Sequence, residues 1–361
     1  MALPAAAAAQ NAGGGDGQGD DRDGRRQGDN DRNRGGDGRD DDDDRNGRDR
    51  NDGGPDRFDR LFDLPSFAEP SESLREALVE IGRPGGILDA GDPLDVGPVR
   101  LITEPDLSPN NRDHLTQFAG FTFLGQFIDH DLTNDAGSRL GQVTPVRRST
   151  NLRTARFDLD SVYGGGPAES PMLYDGFRFR VESGGLFEDL PRDDAGGAII
   201  GDPRNDENLI ISGLQAAFLL FHNAVLDGLS ANPTEADFVQ ARQIVRWHYQ
   251  WIVVNEVLPH YVGQDLIDEI VASGRQIFTP NQARIPVEFQ TSVYRFGHSI
   301  IRPSYRANLA GDRGEPFFAF VFDPSTFGDD DPEDLSGGHR APRRFIGWQT
   351  FFDFGDGEVK P

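Results

Sequence analysis

Residues 125–131 read Gly-Gln-Phe-Ile-Asp-His-Asp, and Gln126, Asp129 and His130 stand in them at i, i+3 and i+4. On a helix, that spacing projects an amide, a carboxylate and an imidazole from one face. Asp131 lies roughly 100° further round and is free to serve a different site. An imidazole flanked by a carboxylate and an amide on an otherwise apolar helix can form one wall of a proton-transfer site. A capped helix end with a satisfied histidine is the simpler reading of the same residues.

Three further clusters could do chemistry. Thr154, Asp158 and Asp160 alternate with Arg156 in Thr-Ala-Arg-Phe-Asp-Leu-Asp. A hydroxyl, two carboxylates and the Arg156 carbonyl turned inward together would suit Ca²⁺, which takes six to eight hard oxygen donors. Thr154 could give both its carbonyl and its hydroxyl, and Asp131 could complete the shell from the helix. A polar loop with turn-forming aspartates is the alternative. In Gly201–Glu207, Arg204 and Glu207 are three apart and could reach a common cavity, although Pro203 and the acidic residues also fit helix capping. In Tyr294-Arg295-Phe296-Gly297-His298, a histidine on an aromatic helix beside a glycine would let a flat cofactor approach, with His298 as axial ligand. His222, His248 and His260 read as structural.

Helices must position these groups. Apolar spacing predicts helices over Ser71–Ile81, Arg112–Thr133, 212–229, Asp265–Ala272 and within Pro286–Ile300. A longer one is predicted from Glu235 to about Val257, with Leu258-Pro259 as its stop. Strand signals are confined to Phe177–Val181 and Phe317–Phe322. The expected fold is therefore mainly α with long ordered loops, a combination that favours an ion or cofactor pinning the loops.

Composition narrows the partners. The 361 residues carry a net charge of −25, of which the 14 Asp and 9 Arg of residues 16–54 account for only −5. The rest is strongly acidic, which disfavours nucleic acid and anionic membrane. Residues 1–60 are read as a solvated Asp/Arg/Gly-rich tail, too poor in apolar side chains to offset its ordering entropy, and 61–361 as one catalytic domain. Asp40–Asp44 lacks the spaced ligands of an EF-hand loop. There are no cysteines, hence no disulfide framework and no thiolate metal site. No run is expected to span a bilayer. Ala5–Ala9 has the look of a signal-peptide tail without the cationic and long apolar regions, so localisation stays open between secreted and cytoplasmic. Oligomeric state is not legible.

Taken together, these segments resemble the animal-type haem peroxidase superfamily, its bacterial members most closely. The matching pieces run in the family's order: G-Q-F-I-D-H-D at 125–131, T-x-R-x-D-x-D-S-V-Y-G at 154–164, R-x-x-E at 204–207, Y-Q-x-I-x-x-N-E-x-L-P at 249–259 and Y-R-F-G-H at 294–298. The resemblance covers roughly residues 60–361.

The resemblance implies a peroxidase that reduces hydrogen peroxide and oxidises phenols or halides with haem b. His130 would be the distal base, with Gln126 beside it and Arg204 as the distal arginine. Asp129 and Glu207 would form ester links to the haem. Asp131, Thr154, Arg156, Asp158 and Asp160 would hold Ca²⁺, and His298 would ligate the iron with Arg295 next to the haem. Asn208 stands where some members have a methionine that makes a further haem link. The chain ends 63 residues after His298, short of the Asn that supports the proximal His in the family, and Asn308 is too close to replace it. A fragment lacking part of the proximal side, with weakened haem binding, is the expectation. Two other readings remain: a fatty-acid dioxygenase, whose radical Tyr would sit where Arg295 does, and a non-catalytic calcium-binding or adhesion module.

Overall fold

Asn208 starts the helix around which the rest is built: its side chain accepts from the backbone N–H groups of Ile210 and Ile211 at 3.1 and 3.0 Å, a standard N-cap. The computed structural model describes residues 57–355 apart from 66, 113, 115, 136, 140–143, 184–186, 312–313, 324, 326–332 and 340–342. The tail assignment for 1–56 lies outside the described residues. Arg57–Arg60 belong to the folded body: Phe58 is buried, and Asp59 exchanges backbone hydrogen bonds with Ile285 and Val287.

In chain order the helices are α1 (Glu72–Gly82), α2 (Pro98–Thr103), α3 (Ala119–Leu132), α4 (Asp160–Tyr163) and α5 (Gly166–Glu169), followed by α6 (Leu209–Leu229), α7 (Glu235–Ile252), α8 (Leu258–Val262), α9 (Gln264–Ser273) and α10 (Val287–Thr291). Among the described residues, strands form only three antiparallel pairs. They are β1 (Tyr174–Asp175) with β2 (Arg178–Phe179), β3 (Glu182–Ser183) with β4 (Glu188–Asp189), and β5 (Ser304–Asn308) with β6 (Phe317–Phe320). The fold is mainly α, as the apolar spacing implies, and β5 is a strand that the sequence reading omits.

The core lies where α3, α6 and α7 meet. Phe127 of α3 stacks on Phe218 of α6 with ring centroids 5.1 Å apart, and Phe218 meets Tyr249 of α7 edge-on. The sequence spacing marks Leu214, Phe218, Phe221 and Val225 as the apolar stripe of α6, yet these are only half-buried. The fully enclosed side carries Ile211, Gln215, Leu219, His222 and Leu226. Polar groups on that side are masked from any hydropathy pattern but find internal partners. His222 is shared between the Tyr163 hydroxyl at 3.0 Å and the Phe177 carbonyl at 3.3 Å. By length and composition, α6 is apolar enough to cross a membrane, contrary to the sequence expectation. In the fold, 61 % of its most apolar window is enclosed, so it serves as a core helix.

Two predicted helices end differently. Helix α3 begins only at Ala119, after an extended Phe118, and the stretch around Phe351 folds onto the helix start: Gly120 N donates to Phe351 O at 2.9 Å. A Cβ on Gly120 would lie 2.3 Å from the Phe352 ring, so only glycine permits this closure. Pro259 does not stop α7. The chain widens into a π-turn over Val253–Val257, with Leu258 N bonding to Val253 O, and continues as α8. The wider turn absorbs the proline's missing N–H and its clash with the preceding turn.

A buried arginine fixes the loop that precedes α6. Arg192 bonds to Asp189 at 3.1 Å, to Asp206 at 2.7 Å and to the carbonyls of Gly196 and Gly338. Its side chain is 1 % exposed. Replacing it, as in Arg192→Met, would leave two crowded carboxylates without their cation. The expected cost is about 3 kcal/mol or more, measurable by urea denaturation; a loss below about 1 kcal/mol would show that the node is not needed to hold the loop.

Candidate active site

Three segments far apart in sequence converge on α3: the turn Pro203–Asp206 with the two residues after it, the loop 154–160, and the turn Val293–Ser299. Asp129, His130 and Asp131 are all buried near the C-terminal end of α3. The His130 ring is 4 % exposed, and its Nδ1 lies 2.8 Å from Asn205 Oδ1. Asn205 in turn donates from Nδ2 to Gln215 Oε1 at 2.8 Å. Burial, together with the nearby Arg204 charge, pulls the imidazole down to about 4 despite the Asn205 hydrogen bond. The ring is neutral at physiological pH and able to accept a proton.

Gln126 and Glu207 line the more open edge. Gln126 Nε2 donates to Glu207 Oε2 at 2.9 Å, and Asn208 Nδ2 donates to Gln126 Oε1 at 3.3 Å. The i, i+4 pairing of Gln126 with His130 thus places both against the 204–208 segment. Arg204 approaches from the same side: its Nη2 donates to the His130 carbonyl at 3.1 Å, while Asp202 holds it through Nε at 3.0 Å and Nη2 at 2.7 Å. Asp202 is fully buried. Burial alone would raise its carboxyl, but the hydrogen bonds and charge of Arg204, with Arg153 beyond, bring it below the usual range. Asp202 also caps the 203–206 turn through Arg204 N at 3.0 Å, so it both caps this segment and holds the Arg204 side chain.

The carboxylates of Asp131, Asp158 and Asp160 gather with ligand atoms within 4.8 Å of one another. Burial and the two neighbouring carboxylates push Asp131 up to about 8; burial is also the main cause that lifts Asp160 to about 6. Asp131 Oδ2 is enclosed with no hydrogen-bond partner. The loop itself is tightly drawn. Thr154 donates from N to Asp160 at 3.0 Å and from Oγ1 to Asp158 at 2.8 Å, and the Arg156 carbonyl accepts from Asp158 N at 3.0 Å. Leu159, between the two aspartates, adopts a left-handed conformation with φ 59°, an uncommon state for leucine that turns both carboxylates inward. Arg153 bridges this cluster to the arginine side, 3.7 Å from Asp160 and 3.0 Å from Asp202.

The His298 segment departs from expectation. The helix predicted within Pro286–Ile300 breaks at Ser292 (φ −133°, ψ −66°) into α10 and the 3-10 turn Val293–Ser299. Two ties to α3 set that turn: Tyr294 OH donates to Gly125 O at 2.9 Å, and Arg295 Nη1 pairs with Asp129 Oδ2 at 3.0 Å. Thr133 Oγ1 donates to the other Asp129 oxygen at 2.9 Å. His298 is exposed rather than set in an apolar helix. Its Nδ1 sits 3.2 Å from the Arg295 carbonyl, a partner within its own turn that the sequence reading did not supply. Asn308 is committed elsewhere, donating to the carbonyls of Arg343 and Phe345.

Sequence reasoning singled out the groups with distinctive chemistry and missed those that hold them. Asn205, Gln215, Asp202 and Arg153 carry no spacing signal, because each pairs with a residue on another segment. The one local hint is Asn205 itself, adjacent to Arg204 and enclosed in a motif that otherwise reads as surface capping.

Known proteins share parts of this chain. A profile of the family described as animal haem peroxidase matches residues 136–317, which include the 154–160 loop, Arg204, Glu207 and His298 but begin after α3. Human probable oxidoreductase PXDNL is 29 % identical over 212 residues, half of this chain and 14 % of that protein. Peroxidase mlt-7 of Caenorhabditis elegans is 33 % identical over 117 residues, 31 % of this chain and 16 % of that one. The chain therefore spans a small part of these relatives. Among solved structures, peroxidase A from Dictyostelium discoideum aligns with a TM-score of 0.43 at 17 % identity, over 65 % of this chain and 54 % of that one. A fatty acid alpha-dioxygenase from Arabidopsis thaliana aligns with a TM-score of 0.41 at 19 % identity, over 56 % and 42 %.

Proposed function

Because this chain belongs to the animal haem peroxidase family, we propose that it works as a haem-dependent peroxidase, taking hydrogen peroxide and small electron donors such as phenols or halides. The observation that carries this reading is the buried, neutral His130 with Nδ1 engaged by Asn205, on the same helix face as Gln126 and within reach of Arg204. The donor chemistry suits haem. His298 has its Nδ1 directed to a backbone carbonyl, which leaves Nε2 for iron. His130 is enclosed and suited to proton transfer instead. Haem, when bound, supplies the redox centre at which the O–O bond is cleaved.

The chain's own residues would do the rest. His130 would accept the proton of incoming peroxide at Nε2 and return it to the departing oxygen, a general acid–base role open to it because its ring is neutral and readily gives the proton back. Arg204, oriented by Asp202, would stabilise the negative charge that develops on that oxygen in a poorly solvated site. Gln126, tied to Glu207 and Asn208, would hold water or a halide at the open edge. Asp131, Thr154, Arg156, Asp158 and Asp160 would hold Ca²⁺; the orphaned Asp131 oxygen and the raised Asp131 and Asp160 carboxyls support a bound cation there. The residue three before His298 is Arg295, already paired with Asp129, which favours peroxidase over dioxygenase.

Asp129 and Glu207 would form the ester links to haem. Both are engaged in the protein alone, Asp129 by Arg295 and Glu207 by Gln126. After reconstitution with hemin and a few turnovers with peroxide, denaturing extraction is expected to leave haem on the polypeptide. The double variant Asp129→Val, Glu207→Gln should release all of it. Free extraction of haem from the fully active parent would rule the links out.

A further inference from the structure

Asn205 has so far been given no function of its own, yet its side chain hydrogen-bonds the ring of His130. It is fully buried, as is Gln215 behind it. The chain His130 Nδ1–Asn205 Oδ1 (2.8 Å) and Asn205 Nδ2–Gln215 Oε1 (2.8 Å) links α3, the 203–206 turn and α6 through side chains. An amide oxygen can only accept, so an imidazole nitrogen facing it must carry the proton. A neutral imidazole has one N–H, which leaves Nε2 as the basic nitrogen.

We infer that Asn205 is a positioning residue: with its amide oriented by Gln215, it fixes the His130 ring in the Nδ1–H tautomer and so presents a basic Nε2 to the reacting oxygen. The inference deepens the peroxidase reading and rests on it for its catalytic consequence, but the tautomer itself is a property of the protein without haem. The arrangement has an alternative with equal hydrogen bonding. Reversing both amides would let Asn205 Nδ2 donate to Nδ1 and move the imidazole proton to Nε2, where it would block base catalysis. The burial of Gln215 Nε2 without a partner marks the end of the chain at which the two orientations differ.

Nitrogen-15 NMR of the full chain labelled in histidine, haem-free and at one fixed pH near neutrality, separates them. The His130 signals are those missing from His130→Gln. The parent is expected to show Nδ1 protonated and Nε2 unprotonated. Asn205→Leu, similar in size without an acceptor, should give a mixture of tautomers or the Nε2–H form, whereas Asn205→Asp keeps an acceptor and should keep Nδ1–H. If Asn205→Leu does not fold, Gln215→Met removes the group that orients the amide and should shift the populations the same way. After hemin loading, Asn205→Leu is expected to lower kcat/KM for peroxide about 10-fold or more with an unchanged Soret band, and Asn205→Asp to recover most of the loss. A parent in the Nε2–H form, or foldable Asn205→Leu and Gln215→Met variants that keep Nδ1–H, would overturn the inference. If the tautomer responds as expected but the hemin-loaded parent does not react with peroxide, the positioning role stands and the peroxidase reading falls.

Discussion

His130→Ala is expected to retain haem and to slow the reaction with hydrogen peroxide by at least about 10²-fold, the usual worth of a positioned acid–base group. The effect should be this large because the other polar groups of the site are engaged, Glu207 by Gln126 among them. Gln126 is an amide, Asp129 is paired with Arg295, and Asp202 is committed to Arg204 and Arg153. Haem retention should be unaffected, since His298 lies on a different segment and is tied to its own turn. Stopped-flow mixing with peroxide reads the rate directly. A variant that reacts at the parental rate would remove His130 from the mechanism, whatever the protein's activity.

The second large effect concerns the carboxylate cluster. Three carboxyl groups with ligand atoms within 4.8 Å of one another repel when ionised. In the folded, cation-free protein, Asp131 is raised to about 8 and Asp160 to about 6, above their unfolded values near 3.8. A raised folded-state pKa favours folding at low pH. The contribution is fully present below about 4 and is lost as pH rises, through about 6 for Asp160 and about 8 for Asp131. Chelator-treated protein should therefore lose stability between about pH 4 and pH 8, and calcium should restore most at the alkaline end. At free calcium about 100-fold above its Kd, the gain is about 2.7 kcal/mol, seen as a rise in Tm. Asp158→Ala should abolish that gain. A parental Tm indifferent to calcium and chelator at pH 8 would return the loop to a hydrogen-bonded turn.

The sequence located the candidate groups more readily than the residues that hold them, for physical reasons. Gln126, Asp129 and His130 could be placed on one helix face because a 3.6-residue period fixes relative direction whatever packs against it. The Asp158–Asp160 alternation likewise survives folding, although the left-handed Leu159 that turns both aspartates inward has no sequence signature. His298 was legible by residue type and misplaced by environment. Its turn is set by Tyr294 and Arg295 reaching Gly125 and Asp129, contacts that no local pattern encodes. The apolar stripe of α6 pointed to the half-buried side, because the enclosed side mixes Gln215 and His222 with aliphatic residues and only their distant partners make that burial affordable. The same cause hid Asn205: a buried amide is recognised by what it bonds to, not by its neighbours in sequence.

The central claim is that this chain binds haem and uses it against peroxide with its own distal base. Titration of the purified chain with hemin, followed by removal of excess and addition of hydrogen peroxide with a phenol, tests it most directly. The account predicts one equivalent bound, a Soret band that is lost in His298→Ala, and phenol oxidation that persists on retained haem but falls at least about 10²-fold in His130→Ala. A chain that acquires no Soret band, or one whose band and turnover are the same in both variants, would contradict it.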